Sequence, residues 1–319
     1  MRRNIAGCRS GLARDIDGSI RGQARSYMNH NEKRGLIPSA STQLAITMNP
    51  SLRIRPPAVA GMFYPADAEE LARDIQAFLA ACEPAQAPAP KALIVPHAGY
   101  IYSGAVAASA YALLAPARSL VRRVVLLGPA HRVPIRGLAL PVAEAFATPL
   151  GGVRIDAEGA TAALKLPQVS ASDVAHNLEH SLEVQVPFLQ SVLDDFTLLP
   201  FAIGAATPAQ VAEVLDLLWG GPETLILISS DLSHFHTYAS AQGIDQGTVG
   251  EILAQEPSIE HGQACGATPI NGLLLCAKRR GLSIELLDLR NSGDTAGDRS
   301  RVVGYASFAL HEGIAHAEH

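Results

Sequence analysis

Three separate apolar runs in this chain each end, within a few positions, on a residue able to bind a metal or carry a proton. Leu93-Ile94-Val95 leads to Pro96-His97-Ala98-Gly99-Tyr100. Val124-Val125-Leu126-Leu127 leads to Gly128-Pro129-Ala130-His131. Leu225-Ile226-Leu227-Ile228 leads to Ser229-Ser230-Asp231-Leu232-Ser233-His234. Each run is short, apolar throughout and bounded by Gly, Pro or Ser, which reads as a strand buried on both faces. In open α/β sheets ligands bind in the crevice outside the carboxyl ends of the strands. His97, His131, Asp231 and His234 are therefore expected to converge if the three strands are neighbours. Taken singly, each is more readily a surface loop residue; the coincidence on three strands points to a site.

Strands and helices alternate through the rest of the chain. Strands are expected at Ala92–Val95, Val124–Leu127, Thr197–Ile203, Thr224–Ser229, Ser283–Leu289 and Arg301–Leu310. Asp67 reads as an N-cap with Glu70 completing a capping box. Leu71, Ile75, Phe78 and Leu79 then form one apolar helix face. Further helices are expected at Gly104–Leu114, Asn177–Leu193, Pro208–Trp219, Ala239–Ala254 and Thr268–Arg280. This alternation predicts a largely parallel sheet covered by helices on both sides. The Ala/Pro segment from Pro84 to Pro90 cannot continue a helix, and nothing after it marks a second domain boundary. The domain is expected to span residues 53–311, with 312–319 a frayed tail.

Two further segments carry chemistry. In Glu179-His180-Ser181-Leu182-Glu183, a helix would place Glu179 and Glu183 on one face, as acid/base groups, as anchors for metal ligands or as an ordinary solvated face. Pro187 would kink that helix. Cys265 lies just before Thr268-Pro269, a helix start, where the helix dipole stabilises a thiolate. His176-Asn177-Leu178-Glu179-His180 also fits the H-x-x-E-H pattern of zinc peptidases, although no third acidic ligand follows on a later helix. That leaves a zinc hydrolase built on His176 and His180 as a competing reading. No P-loop, dinucleotide fingerprint or G-x-S-x-G elbow occurs.

Charge narrows the partners. Residues 1–47 hold eight Lys/Arg and three Asp/Glu, whereas the remainder holds 17 and 27. An acidic body argues against a nucleic-acid groove. Absence of a long uncharged apolar run argues against a membrane span. The four cysteines form no C-x-x-C pair, which fits reduced thiols in a cytoplasmic protein. The first 47 residues, rich in Arg, Ser, Gly and Asn, are expected to be disordered. They read as a transit peptide or functional arm, or as a mis-assigned start with translation beginning at Met48; the ordered pattern just after Met48 favours the last.

The segments quoted above, together with Ala60-Gly61-Met62-Phe63-Tyr64-Pro65 and Cys265-Gly266, occur in one order from about Arg55 to Leu310. In this the chain resembles the Memo family, whose bacterial members are known as protein B of the AmmeMemoRadiSam system. The resemblance implies a three-layer α/β/α sandwich around a mostly parallel sheet, similar to class III extradiol dioxygenases. It implies His97, His131 and Cys265 as ligands of iron, or alternatively copper, with Asp231 and His234 in the same cleft. It also implies a small-molecule or peptide ligand, and radical-SAM and AMMECR-type proteins as partners, with a non-catalytic binding protein acting beside them as the alternative to a redox enzyme. A cysteine in place of a dioxygenase carboxylate would make the site softer and suited to redox chemistry. His234 and His180 are then candidate proton carriers, oriented by Asp231 or Glu183.

Overall fold

A computed structural model describes residues 52–85 and 88–313. The readings that concern residues 1–47, Met48 and the tail beyond residue 313 lie outside the described residues. In chain order the elements are β1 (Ile54–Arg55), α1 (Ala68–Ala80), β2 (Ala92–Val95), α2 (Tyr100–Tyr111), β3 (Arg123–Pro129), β4 (Leu138–Leu140), β5 (Ala145–Thr148) and β6 (Gly151–Arg154). They continue with α3 (Ala157–Ala163), β7 (Val169–Ala171), α4 (Asp173–His176), α5 (Val186–Val192), β8 (Thr197–Ile203), α6 (Pro208–Leu218), β9 (Thr224–Ser229) and β10 (His234–His236). The last are α7 (Tyr238–Leu253), α8 (Ala267–Arg280), β11 (Ser283–Asn291) and β12 (Val302–His311).

The main sheet runs β10-β12-β2-β9-β3-β8-β4-β7, with β11 also paired to β12. Its centre, β2-β9-β3-β8, is parallel. Antiparallel pairings flank it, β12 on β2 at one side and β4 on β8 at the other. Side chains on the central strands alternate between two cores, as the two-residue period requires. Leu93, Val95, Val124, Leu126, Leu225 and Leu227 pack with α1, α2 and α5. Ala92, Ile94, Val125, Leu127, Ile226 and Ile228 pack with α6, α7 and α8. Both faces are thus covered, and the apolar runs that mark strands in the sequence are apolar because neither face meets water. A small second sheet, β1-β5-β6, lies apart from the main one. No helix among the described residues is long and apolar enough to cross a membrane.

Local signals hold where the partners are local. The Asp67 side chain accepts from Glu70 N at 2.9 Å and starts α1, although the Glu70 side chain does not return the bond, so the expected capping box is only half formed. Thr207 and Gln210 close a capping box ahead of Pro208 on α6. Other expectations are corrected. The helix expected at Gly104–Leu114 starts four residues earlier and runs on as a 3-10 turn to Ala117. Thr268 does not start α8; its N-cap is Gly266.

The Asn177–Leu193 helix does not exist as one element. α4 ends at His176, residues 177–182 form a turn, a short 3-10 turn covers Glu183–Gln185, and α5 begins at Val186. Pro187 sits in the first turn of α5, where its missing N–H costs nothing, so it begins a helix rather than kinking one. Glu179 and Glu183 therefore share no helix face. Leu178, just past the end of α4, is 65% exposed.

Candidate metal centre

Because β9 lies between β2 and β3, the loops after these strands emerge side by side at one end of the sheet. The loop after β2 carries His97, that after β3 carries His131, and that after β9 carries Ser230 and Asp231. Cys265 arrives from the segment ahead of α8. One ligand atom each from His97, His131 and Cys265 lies within 4.8 Å of the others. His97 Nε2 stands 3.4 Å from Cys265 Sγ. The three imidazoles of His97, His131 and His180 form a cluster with ring centroids 4.7–5.4 Å apart.

Each of these side chains is held from behind. His97 Nδ1 lies 2.9 Å from Ser229 Oγ, the last residue of β9. His131 Nδ1 lies 2.9 Å from Glu179 Oε1, and the His131 backbone N–H donates to the other oxygen of the same carboxylate at 2.5 Å. Ser181 N–H adds a third donor to Glu179. With both Nδ1 atoms occupied, each ring turns its Nε2 towards the centre, the arrangement seen when a carboxylate or hydroxyl orients a metal-binding histidine.

Asp231 ties two of the loops together. Its carboxylate accepts from His97 N at 2.7 Å, and its carbonyl accepts from Cys265 N at 3.2 Å. Ser230 Oγ accepts from Gly266 N at 2.9 Å. A Cβ on residue 266 would meet Ser230 Cβ at 2.6 Å, so only glycine lets the Cys265 segment approach this closely.

The charges follow from these contacts. Burial opposes ionisation of Cys265, but the His97 and His131 rings beside it hold the thiol down at about 6. Burial alone would lower His131; the Glu179 carboxylate overrides it and pushes it up to about 10. Glu179 stays ionised despite burial, because His131 beside it and the Ser181 N–H stabilise the anion. Burial, then the neighbouring His131 charge, holds His180 well below the ordinary histidine range, and its Nδ1 is buried without a hydrogen-bond partner. Burial raises Asp231, partly offset by His234. His234 is lowered by burial, with Asp231 opposing. The backbone next to His234 is strained: Phe235 has φ 64° inside β10, where the pairing with β12 shifts register. Such strain in a bulky residue costs energy that the surrounding fold must hold in place.

Two sequence candidates sit elsewhere. Glu183 is not part of the cluster. Its buried carboxylate accepts from Arg55 Nη1 at 2.7 Å, Ala58 N at 2.7 Å, Val59 N at 2.9 Å and Tyr64 Oη at 2.6 Å, which leaves nothing to donate to or orient a reacting group. His176 is likewise spent: its Nε2 lies 2.8 Å from Ala139 O, and burial lowers it to about 4. It joins no ligand group among the described residues, so the H-x-x-E-H reading loses its first histidine. Glu179, one of the two carboxylates expected as an anchor for a metal ligand, holds the His131 ring, and Ser229, which stood in the sequence only as a neighbour of candidate residues, holds that of His97.

Known proteins resemble the chain over most of its length. The family described as "Memo-like protein" matches residues 55–309. A MEMO1 family protein from Ignicoccus hospitalis is 37% identical over 280 residues, covering 80% of this chain and 97% of that protein. One from Methanosarcina mazei is 37% identical over 276 residues, with 81% and 100% covered. One from Aquifex aeolicus is 37% identical over 271 residues, with 80% and 98% covered. Among solved structures, an uncharacterized protein from Escherichia coli K12 aligns over 68% of this chain and 98% of its own at 12% identity, with a TM-score of 0.41. Similar from residue 55 to residue 309, and to relatives that it covers almost end to end, the chain belongs to the Memo family.

Proposed function

We propose that this chain is a metal-dependent redox protein that holds one iron ion, or copper in its place, on His97, His131 and Cys265. The observation that carries the reading is the convergence of two imidazole nitrogens and one sulfur from three separate loops. The donor set fits. Both rings have Nδ1 engaged from behind and meet the Cys265 sulfur on the other side, and the thiol is held down at about 6, so the sulfur is a thiolate near neutral pH. Two nitrogens and a soft sulfur suit iron or copper and leave coordination positions open. When bound, the ion would supply electron transfer and a place for a small molecule or peptide group to coordinate.

The protein's own residues have separate tasks. Glu179 fixes the plane of His131 and balances its charge. Asp231 keeps the His97 loop and the Cys265 segment at a set distance through its side chain and its carbonyl. His180, stacked on His131 and kept neutral by burial and the His131 charge, is the candidate proton carrier nearest the centre. His234, next to Asp231, is a second proton carrier at the same end of the sheet.

Anaerobic titration with Fe(II), followed by elemental analysis, tests the reading. One ion per chain is expected, with affinity falling steeply on Cys265→Ser. A wild-type protein that refuses Fe(II) and Cu(I), or a Cys265→Ser variant of unchanged affinity, would refute it.

A further inference from the structure

We infer that Ser229 decides which nitrogen of His97 carries the proton, and so acts as a positioning residue for the metal centre. The deduction starts from groups that have only one role. Pro96 O and Ser181 O are carbonyls and can only accept. Gln185 Nε2 lies 2.9 Å from Pro96 O, so the amide nitrogen faces it, and Gln185 Oε1 accepts from Tyr111 Oη at 2.7 Å. The same Nε2 donates to Ser229 Oγ at 2.8 Å. Ser229 Oγ lies 2.6 Å from Ser181 O, and its single proton must go there.

Ser229 Oγ is then left with lone pairs only. One receives the Gln185 N–H, and the other faces His97 Nδ1 at 2.9 Å. Two lone pairs at that distance would repel, so His97 Nδ1 carries a proton. Neutral imidazole in water favours the opposite tautomer, and the chain of hydrogen bonds overrides that preference. Tyr111, Gln185, Ser181 and Ser229 are all fully buried, so no solvent water competes for these protons. With Nδ1 engaged behind the ring, Nε2 is the nitrogen on the side of Cys265 Sγ, 3.4 Å away, and the one a metal ion would take. The consequence for metal binding rests on the function proposed above; the tautomer does not.

Long-range proton–nitrogen spectra of the metal-free protein in alkaline buffer read the tautomer directly. The wild type is expected to show His97 protonated on Nδ1. Ser229→Ala should move the proton to Nε2 and lower Fe(II) affinity roughly 10- to 100-fold, as loss of an orienting partner does, and Ser229→Thr should restore both. Gln185→Met should keep the wild-type tautomer, because Ser229 still donates to Ser181 O. A wild-type His97 protonated on Nε2 alone or averaging between forms overturns the inference, as does a folded Ser229→Ala protein with the wild-type tautomer. If Ser229→Ala fails to fold, the wild-type spectrum decides alone. A wild type that shows the expected tautomer yet binds neither Fe(II) nor Cu(I) overturns the proposed function and leaves this inference standing.

Discussion

Replacing Arg55 by methionine is expected to destabilise the fold by about 4 kcal/mol, within the range of roughly 3–5 kcal/mol for stranding one member of a buried ion pair. Arg55 and Glu183 are 2% and 1% exposed and meet at 2.7 Å, so solvent screening offers no relief. The guanidinium does more than neutralise the carboxylate. Its Nε donates to His176 O at 2.8 Å and its Nη2 to Glu179 O at 2.7 Å. Methionine leaves those two carbonyls without their partner, at a cost of about 1–3 kcal/mol for each group left unsatisfied, not additive with the first term. Only the backbone amides of Ala58 and Val59 and the Tyr64 hydroxyl would remain around the anion.

For a domain of this size, about 2–4 °C of melting temperature accompanies each kcal/mol. A fall of roughly 8–16 °C is therefore expected, measured by thermal and urea unfolding of the metal-free protein. Replacing Arg55 and Glu183 together by apolar residues should recover part of the loss, since no unpaired charge is then buried. Because Arg55 grips the backbone of the turn that carries Glu179 and His180, the single variant should also bind Fe(II) more weakly. A single variant that melts within about 2 °C of the wild type, on the same scale, would refute the reasoning and return Glu183 to the candidates for catalysis.

Alkylation of Cys265 in the metal-free protein should accelerate as pH rises through about 6, because only the thiolate reacts and the neighbouring imidazoles hold its pKa there; an inflection near the usual value of about 8.5 for a free thiol would contradict the charge assignment. Glu179→Gln should weaken Fe(II) binding roughly 10- to 100-fold by loosening His131, and should bring the His131 pKa down from about 10 towards the ordinary histidine range, both readable by titration and nitrogen spectra. His176→Ala should leave metal affinity unchanged, since its imidazole is bonded to Ala139 O; loss of bound zinc in that variant would revive the zinc-hydrolase reading.

The strand-end rule made His97, His131 and Asp231 legible because it needs only short apolar runs and the residue that follows each. The adjacency of β2, β9 and β3 then turns three separate loops into one site. Cys265 was legible as a reactive thiol ahead of a helix, although the helix begins at Ala267 rather than Thr268. What stayed hidden depends on partners far away in sequence. Glu183 reads like a site carboxylate until Arg55, 128 residues before it, is seen beside it. The helical pattern from Asn177 onward is real, but Arg55 and the Glu179 contacts to His131 pull the chain into a turn there, overriding local propensity. The strands from Leu138 to Ala171 are three or four residues long and lie in the small sheet or at the edge of the main one, too short for periodicity to register. Ser229 was visible as the last strand residue, yet only the proton count around it shows what it does.

X-ray absorption spectroscopy of the anaerobically Fe(II)-loaded protein tests the central claim most directly. The account predicts a metal shell containing one sulfur and two imidazole nitrogens, with the sulfur contribution gone in Cys265→Ser and one imidazole gone in His97→Ala or His131→Ala. A loaded wild-type protein whose metal has only oxygen and nitrogen neighbours would contradict it.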